Sequence, residues 1–280
     1  MTQPLLFAAL DDGLQVPQPP ALAAIRRVVA AQHPLVWVTQ RSGAEIMAFN
    51  AAIEQPLPFI AEGGSVLYWP QRSATFISPT GGELPDGTEA DPVGDYWCVP
   101  LAGPYVQARA GLRVLANELH HSLLGYGDMT IERLQRSAGL STTAAQQAKA
   151  RESSEVFLTP KAVTAEALMA AAEDLGFSVV YGEKVSYLLA EGVSLAGAIA
   201  QLLSYCHVES ASESAGDPPK TMGIGRWPRD KALLAAVQQA VALVTDGARP
   251  EALPPECRTI TATPEAWATA LQELAGLSPN

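Results

Sequence analysis

The chain has 280 residues, of which 18 are Lys or Arg and 29 are Asp or Glu, so its formal net charge is −11. A hydrophobic fraction of 48% and a charged fraction of 17% are typical of a globular protein and exclude intrinsic disorder. The acidic balance argues against a nucleic-acid-binding surface, and the apolar runs are too short for a membrane helix.

The first part of the chain is predicted to alternate strands with helices. Short apolar runs that end in polar or turn residues indicate buried strands. Ser42, followed three residues later by Glu45, has the pattern of a capping box, and Gly63-Gly64 indicates a hairpin turn. The predictions are strands at 5–10 and 35–39, helices at 19–31 and 42–53, and a hairpin over 59–69.

The rest of the chain separates into a helical middle and a second alternating part. Residues 70–100 are rich in Pro, Gly and Asp and are predicted to contain a domain boundary. The middle is predicted to have helices at 105–122, 130–138, 141–151 and 164–175 and strands at 178–181 and 185–189. The last third is predicted to have helices at 194–205, 228–240 and 264–274, strands at 220–225 and 241–244, and a polar loop at 207–219. This order predicts an α/β protein with parallel strands and an insertion.

The cysteines and the N-terminus indicate a reducing compartment. Cys98, Cys206 and Cys257 are far apart and lack the spacing of metal ligands. The first residues lack the basic start and the cleavage site of a signal peptide. We therefore expect free thiols in a cytoplasmic protein.

One long segment of the chain resembles a known family. Residues 124–132, 138–141 and 148–157 closely resemble the cap of mannosyl-3-phosphoglycerate phosphatases, which belong to the haloacid dehalogenase (HAD) superfamily. Residues 59–64 are similar to the family's F-I-x-E-N-G-G, with Gly63 where Asn is usual. Residues 263–267 look like its G-P-E-G-W. The resemblance runs in order through nearly the whole chain.

The resemblance implies a fold and a reaction. It implies an HAD-type, Rossmann-like α/β core with a parallel central sheet, over 1–90 and 182–280, and an inserted α/β cap domain over 91–181. Family members hydrolyse phosphate esters with Mg2+. Their first strand ends in the motif D-x-D-G-T, in which the first Asp is the nucleophile and the second is the acid/base. A Lys neutralises the charge of the phosphate, and a G-D-x-x-x-D loop holds the metal.

The family's catalytic pattern is incomplete in this chain. Ala9 stands at the position of the nucleophilic Asp, whereas Asp11 matches the acid/base Asp, and no shift of register restores the pair. Leu195 stands at the position of the Lys. In the metal loop Arg226 replaces the first Asp and Asp230 remains; Arg226 either occupies the emptied metal position or points to solvent. We therefore expect Mg2+ to be absent or weakly bound.

Other positions of the family pattern are retained. Thr39 is at the position of the hydroxyl that binds the phosphoryl group, and Arg41 follows it in the same motif; the alternative for Thr39 is an ordinary Thr that ends a strand. Lys149, Arg151 and Glu152 match the cap segment that faces the active site and helps to bind substrate in the family. The alternative for these three is a solvated, charged helix end.

Three functions are consistent with these residues. The leading hypothesis is a catalytically impaired pseudophosphatase that binds a sugar phosphate, another small anion or a protein partner near the core–cap cleft, with Arg226 as a fixed cation. The alternative is an active Mg2+-dependent phosphatase of a sugar-glycerate phosphate, in which Asp11, Thr39 and Asp230 act and Asp12 is a general base on water. The third is a structural subunit of an assembly. We expect no nucleic-acid or membrane partner.

Overall fold

The structure is a computed structural model and describes residues 3–10, 18–207, 219–245 and 248–278. Its strands are β1 (Leu5–Ala9), β2 (Leu35–Val38), β3 (Phe59–Ala61), β4 (Val66–Pro70), β5 (Asp91–Val93), β6 (Tyr96–Pro100), β7 (Glu155–Leu158), β8 (Phe177–Val180), β9 (Val185–Ala190), β10 (Thr221–Arg226), β11 (Gln239–Val244) and β12 (Arg258–Thr261). Its helices are α1 (Pro19–Ala30), α2 (Gly43–Ala52), α3 (Tyr105–Glu118), α4 (Ile131–Ala138), α5 (Thr142–Lys149), α6 (Ala165–Asp174), α7 (Leu195–Ser204), α8 (Lys231–Ala236) and α9 (Pro264–Leu274).

Within the described ranges, nine strands form a large sheet in the order β12-β11-β10-β1-β2-β3-β4-β6-β5. The first six are parallel, and β4, β6 and β5 continue the sheet antiparallel. β1 lies in the middle of the parallel part, between β10 and β2. This is a mixed α/β fold with a mostly parallel central sheet, as the sequence predicts.

Both faces of β1 are buried, which explains its continuous apolar run. Leu6 and Ala8 point into a cluster with α1, α2 and α9, whereas Leu5 and Phe7 point into a cluster with α7 and α8. Successive side chains of a strand point to opposite faces, so one apolar run serves two cores. The large sheet is therefore covered on both faces.

The segment between β6 and α7, residues 101–194, is called the insert below. Its strands form a three-stranded antiparallel sheet in the order β7-β9-β8. Phe157 of β7 packs with α3 and α6, and its neighbour Val156 packs with α4 and α5 on the other face. The insert thus has its own two-sided core.

The structure also shows where local patterns did not predict the elements. β5 and β6 pair with β4 of the large sheet, and β9 is the central strand of the small sheet. The expected boundaries at residues 90 and 182 put β5 and β6 in the cap and β9 in the core. In the structure β5 and β6 belong to the large sheet, and β9 belongs to the small sheet of the insert. The helix predicted over 228–240 is shorter, because Val237 has extended backbone and β11 begins at Gln239. β7 and β12 were not predicted.

Among the described residues, no helix is both long enough and apolar enough to cross a membrane.

Candidate functional site

The carboxyl ends of the parallel strands form the edge at which open α/β sheets bind ligands. Ala9 ends β1 and pairs with Val38, which is followed by Thr39. Arg226 ends β10, the neighbour of β1 on its other side. The structure therefore brings Ala9, Thr39 and Arg226 to one edge. Asp11 and Asp12 lie outside the described residues.

Ala9 and Leu195, which the family resemblance aligns with the nucleophile and the Lys, lie in apolar surroundings. Ala9 and Leu195 are both half-buried and pack against the same apolar cluster, which includes Phe7 and Val38. Ser194 caps α7 by accepting a hydrogen bond from the N–H of Gly197. At these two positions the chain offers a methyl group and an isobutyl group in place of a carboxylate and an ammonium.

The carboxylate of Asp230 is engaged by the protein. Its Oδ2 accepts a hydrogen bond from the N–H of Arg226 at 2.6 Å, and its Oδ1 accepts one from Nε of Arg229 at 3.2 Å. A Cβ atom on Gly225 would lie 2.8 Å from the Cβ of Asp230, so the glycine permits this tight turn. The 226–230 loop is thus held by its own charged residues.

The described residues at this loop do not fit a magnesium site. Mg2+ requires an octahedral set of oxygen ligands. No group of three or more His, Cys, Asp or Glu side chains comes together in the described part of the chain. Asp230 supplies a single carboxylate there, and the guanidinium of Arg229 already contacts it.

A pocket opens beside Ala9 at this edge. It lies over the ends of β1, β10 and β11 and against α1 and α9. Its lining consists of Ala9, Gln18, Ala21, Gly225, Arg226, Arg229, Asp230, Leu243, Ala262, Thr263, Pro264 and Trp267. Among the lining residues that the structure describes, Arg226 and Arg229 are cationic and Asp230 is anionic.

The turn after β2 is tied to the hairpin between β3 and β4. The buried Oγ1 of Thr39 accepts a hydrogen bond from the N–H of Arg41 at 3.0 Å. The carbonyls of Thr39 and Arg41 accept from the N–H groups of Gly63 and Glu62, each at 3.0 Å. Thr39 therefore shapes this turn, and the Arg41 side chain is half-buried beside it.

Glu62 joins the hairpin to the insert. It is fully buried and has a φ of +53°, a conformation that non-glycine residues rarely adopt. Its carboxylate accepts hydrogen bonds from the N–H groups of Glu152, Ser153 and Ser154 at 2.8–3.1 Å and from Oγ of Ser154 at 2.6 Å. Strained, buried backbone of this kind persists only where the surroundings hold it in place.

Arg151 completes this arrangement, which we call the Glu62 network (Glu62 and residues 151–154). The side chain of Arg151 is 1% exposed, and its Nε lies 3.7 Å from Oε2 of Glu62. Its guanidinium donates to Ser154 and, at 3.0 Å, to the carbonyl of Gln40. Arg151 therefore contacts the core and the insert at once, whereas the Glu152 side chain is exposed.

Lys149 and Glu155 have partners within the insert. Nζ of Lys149 donates to the carbonyls of Met129 and Gly127. Glu155 is buried, accepts from the hydroxyl of Tyr105 at 2.7 Å and from the N–H of Gly127 at 3.3 Å, and burial raises its pKa. Both side chains hold the turn at 126–129.

The structure places the candidate residues in different locations. Ala9, Arg226 and Asp230 line the pocket, whereas Thr39 and Arg41 lie in the turn after β2 and do not line it. Arg151 joins the insert to the core, and Lys149 holds a turn within the insert. Three residues were not predicted as site residues. Arg229 and Trp267 line the pocket, and Glu62 is the central residue of the Glu62 network. Glu62 and Trp267 do lie in segments that match family motifs, but a match in sequence does not show which partner a side chain will contact.

Comparisons with known proteins identify relatives of the chain. The chain is 24% identical over 217 residues, 78% of its length and 74% of the relative's, to a glucosyl-3-phosphoglycerate/mannosyl-3-phosphoglycerate phosphatase of Persephonella marina. It is 27% identical over 124 residues, 44% of its length and 42% of the relative's, to the protein of the same name from Methanococcoides burtonii. No protein-family profile matches the chain.

Solved structures show the same fold. A protein of Thermoplasma acidophilum superposes with a TM-score of 0.62 at 12% identity, covering 98% of this chain and 99% of that one. A phosphatase of the HAD superfamily from Bacteroides thetaiotaomicron gives 0.60 at 14%, covering 97% and 95%. The sucrose-phosphatase of Synechocystis, solved with sucrose and phosphate, gives 0.58 at 12%, covering 98% of each chain. The HAD fold and the resemblance to mannosyl-3-phosphoglycerate phosphatases are confirmed.

Proposed function

We propose that this chain binds a small phosphorylated anion at the carboxyl edge of β1 and β10 and hydrolyses it far more slowly than an intact phosphatase of its fold, or not at all. The proposal rests on the combination of Ala9, Leu195 and Arg226 at three positions that the family resemblance assigns to catalysis, of which Ala9 and Arg226 line one pocket. Each replacement removes a group that the reaction needs. The pocket beside them remains open.

The loss of the nucleophile weighs most against hydrolysis. Attack on phosphorus requires a lone pair, and the methyl group of Ala9 has none. The transferred phosphoryl group also needs cations to neutralise its charge, and Leu195 provides none at the start of α7. Removing a nucleophile alone costs several orders of magnitude in rate.

The replacements are compatible with binding. A guanidinium presents several N–H donors in a plane that matches phosphate oxygens, so Arg226 supplies in one side chain a positive charge that a metal ion otherwise brings. Arg229, on the same loop, lines the same pocket. In this proposal no Mg2+ takes part. The insert acts as a cap over a core formed by the large sheet.

The test compares binding with turnover. Binding of mannosyl-3-phosphoglycerate is measured by calorimetry, and its hydrolysis by phosphate release with and without Mg2+. We expect binding without turnover in the natural chain. Arg226→Ala is expected to weaken binding at least about tenfold, the loss of a charge-assisted hydrogen bond. Arg258→Ala is the matched control, because Arg258 pairs on the surface with Glu273 at the opposite end of the strands.

The same assays decide for or against the phosphatase alternative. Thr39 is retained after β2, at the position where the family binds the phosphoryl group. The presence of this hydroxyl favours some residual hydrolysis. Mg2+-dependent turnover by the natural chain that disappears in Asp11→Ala would establish the alternative. Failure of every phosphorylated ligand to bind would overturn both and favour a protein partner. Activity gained by Ala9→Asp/Leu195→Lys/Arg226→Asp would show that the pocket still accepts the family's substrate.

A further inference from the structure

Glu62 belongs to two parts of the molecule at once. Its main chain is held by the core, since its N–H donates to the carbonyl of Arg41 at 3.0 Å and its carbonyl accepts a hydrogen bond from Oγ of Ser65 at 2.8 Å. Within the described part of the chain, each hydrogen bond that its carboxylate accepts comes from the insert. The side chain of a core residue is therefore bound by the insert as a ligand would be.

The insert side of this contact has the form of an anion-binding site. Three consecutive N–H groups, those of Glu152, Ser153 and Ser154, converge on the carboxylate, and we call this segment the 152–154 nest. Successive N–H groups that point into one concavity bind anions. The hydroxyl of Ser154 accepts hydrogen bonds from Arg151 and directs its own hydrogen to Oε2 of Glu62 at 2.6 Å. A hydroxyl donor and a cation thus complete the nest.

The burial of these groups defines the ligand class. Glu62 and Ser154 are fully buried and Ser153 is 2% exposed, so donors left without an anion there would lose both water and a partner. Both oxygen atoms of the carboxylate are bonded, Oε1 by one N–H group and Oε2 by the other donors. The ligand that matches this arrangement is a small carboxylate.

We propose that the 152–154 nest is a carboxylate-binding site of the insert, that Glu62 is its built-in ligand, and that their contact, which we call the latch, keeps the insert docked on the core. A free carboxylate of matching size is expected to take the place of the Glu62 side chain when that side chain is removed. The latch is independent of the proposed function, because the described lining of the pocket beside Ala9 includes no residue of the insert.

The experiment removes the Glu62 side chain and supplies it again in solution. Glu62→Gly deletes Cβ, Cγ and the carboxylate, and glycine adopts the φ of +53° without strain. Propionate carries a methyl, a methylene and a carboxylate in the same order. The cavity is enclosed only while the insert is docked, so a ligand that fills it stabilises the docked state. We expect propionate at about ten times its Kd to slow amide exchange at Ser153 and Ser154 of Glu62→Gly about tenfold.

Propionamide and sodium chloride are the controls for this effect. Propionamide has the shape of propionate without its charge, and it presents an N–H2 group to N–H donors. Sodium chloride at equal ionic strength measures general screening. Both are expected to leave the exchange of Glu62→Gly unchanged. The natural chain, in which Glu62 already fills the nest, is expected to respond to none of these three solutes.

A second variant tests the nest in a chain that keeps Glu62. Ser154→Ala removes the hydroxyl donor and is expected to speed exchange of the two preceding amides at least about tenfold, the loss of a hydrogen bond to a charged group. Ser186→Ala is the matched control, because Ser186 is also fully buried in the insert and its hydroxyl has its partners inside the insert.

Each result decides for or against the latch. Slower exchange in Glu62→Gly with propionate and not with propionamide supports it. An equal response to both solutes, or a folded Glu62→Gly that responds to neither, overturns it. If Glu62→Gly stays unfolded in every solution, Ser154→Ala decides: exchange faster than in Ser186→Ala supports the latch, and equal exchange overturns it. All of these outcomes leave the proposed function at the pocket in place.

Discussion

At the scale of single residues, the environment of a carboxyl group decides its role. Asp230 is bonded to the N–H of Arg226 and to the side chain of Arg229, so it organises a loop. Glu62 takes four hydrogen bonds from the insert. Glu155 is as deeply buried as Glu62, but its shortest hydrogen bond comes from the neutral hydroxyl of Tyr105, and Arg109 lies 3.8 Å away. These three acids therefore contribute differently to stability.

Glu155 predicts a pH dependence of stability. Burial raises its pKa in the folded protein above the ordinary value near 4.5. Between those two values the folded state holds more protons than the unfolded state, so the free energy of unfolding contributed by Glu155 falls as the pH rises through this window. Glu155→Gln cannot ionise. We expect the stability of Glu155→Gln relative to the natural chain to rise with pH across the window.

Urea unfolding at several pH values measures this difference. Glu173→Gln, an exposed substitution on α6 of the insert, is the matched control for the change of side chain. Parallel stability curves for Glu155→Gln and the natural chain as the pH rises above about 4.5 would contradict the prediction, since a raised pKa requires the curves to diverge.

At the scale of elements, short polar contacts fix how the pieces of the fold meet. The N-cap hydroxyl of Ser42 accepts from the N–H of Glu45 and also donates to the carbonyl of Gln147 in α5, so a helix cap of the core touches the insert. The Glu62 network joins the β3–β4 hairpin to the loop before β7. Both contacts couple the stability of the insert to that of the large sheet.

The Glu62 network predicts a large loss of stability when its charge is removed. Glu62→Gln replaces one acceptor oxygen by an N–H2 group that faces N–H donors, and it leaves Arg151 buried without its anion. Breaking a buried ion pair in this way costs about 3–5 kcal/mol. We therefore expect the free energy of unfolding to fall by about that amount, with faster amide exchange at Ser153 and Ser154.

Glu54→Gln is the control for this substitution. Glu54 has an 82% exposed side chain that lies 3.9 Å from Arg26, and exposed pairs contribute about 0–1 kcal/mol. Urea unfolding and hydrogen exchange measure both variants. A Glu62→Gln protein as stable as Glu54→Gln would show that the buried carboxylate does not hold the insert.

At the scale of the whole molecule, ligand binding and stability are linked. An anion that binds the folded state and not the unfolded state raises the free energy of unfolding of the chain. The increase is about 2.7 kcal/mol when the concentration of the free anion is one hundred times its Kd. We expect the thermal midpoint to rise with phosphate and to stay unchanged with Mg2+ or with a chelator. The donor set at Asp230 gives the reason, since its carboxylate already contacts Arg229.

Differential scanning calorimetry tests this linkage. The variant Ala9→Asp/Leu195→Lys/Arg226→Asp restores carboxylates at the edge, and its midpoint is expected to rise with Mg2+. A Mg2+-dependent rise in the natural chain that a chelator reverses would contradict the assignment of Asp230 as a loop-holding residue. Sodium chloride at equal ionic strength controls for general screening.

The sequence by itself determined which side chains stand at the positions that the family resemblance assigns to catalysis, and it predicted most of the local elements. Residue identity is enough to show that Ala9 and Leu195 cannot act as a nucleophile and a cation. β1, β2, α1, α2 and α9 could be predicted because apolar periodicity, caps and turn residues act over a few neighbouring residues.

The tertiary structure alone decided where distant segments meet. β6 joins the large sheet by pairing with β4 across residues 71–95, and β9 pairs with β7 across residues 159–184; no local pattern specifies these two pairings. The motif around Arg151 looked like a substrate-binding segment, yet its guanidinium is buried against Glu62 and Gln40. Buried charges depend on the groups that folding brings beside them, so their roles follow from three-dimensional packing and not from local sequence.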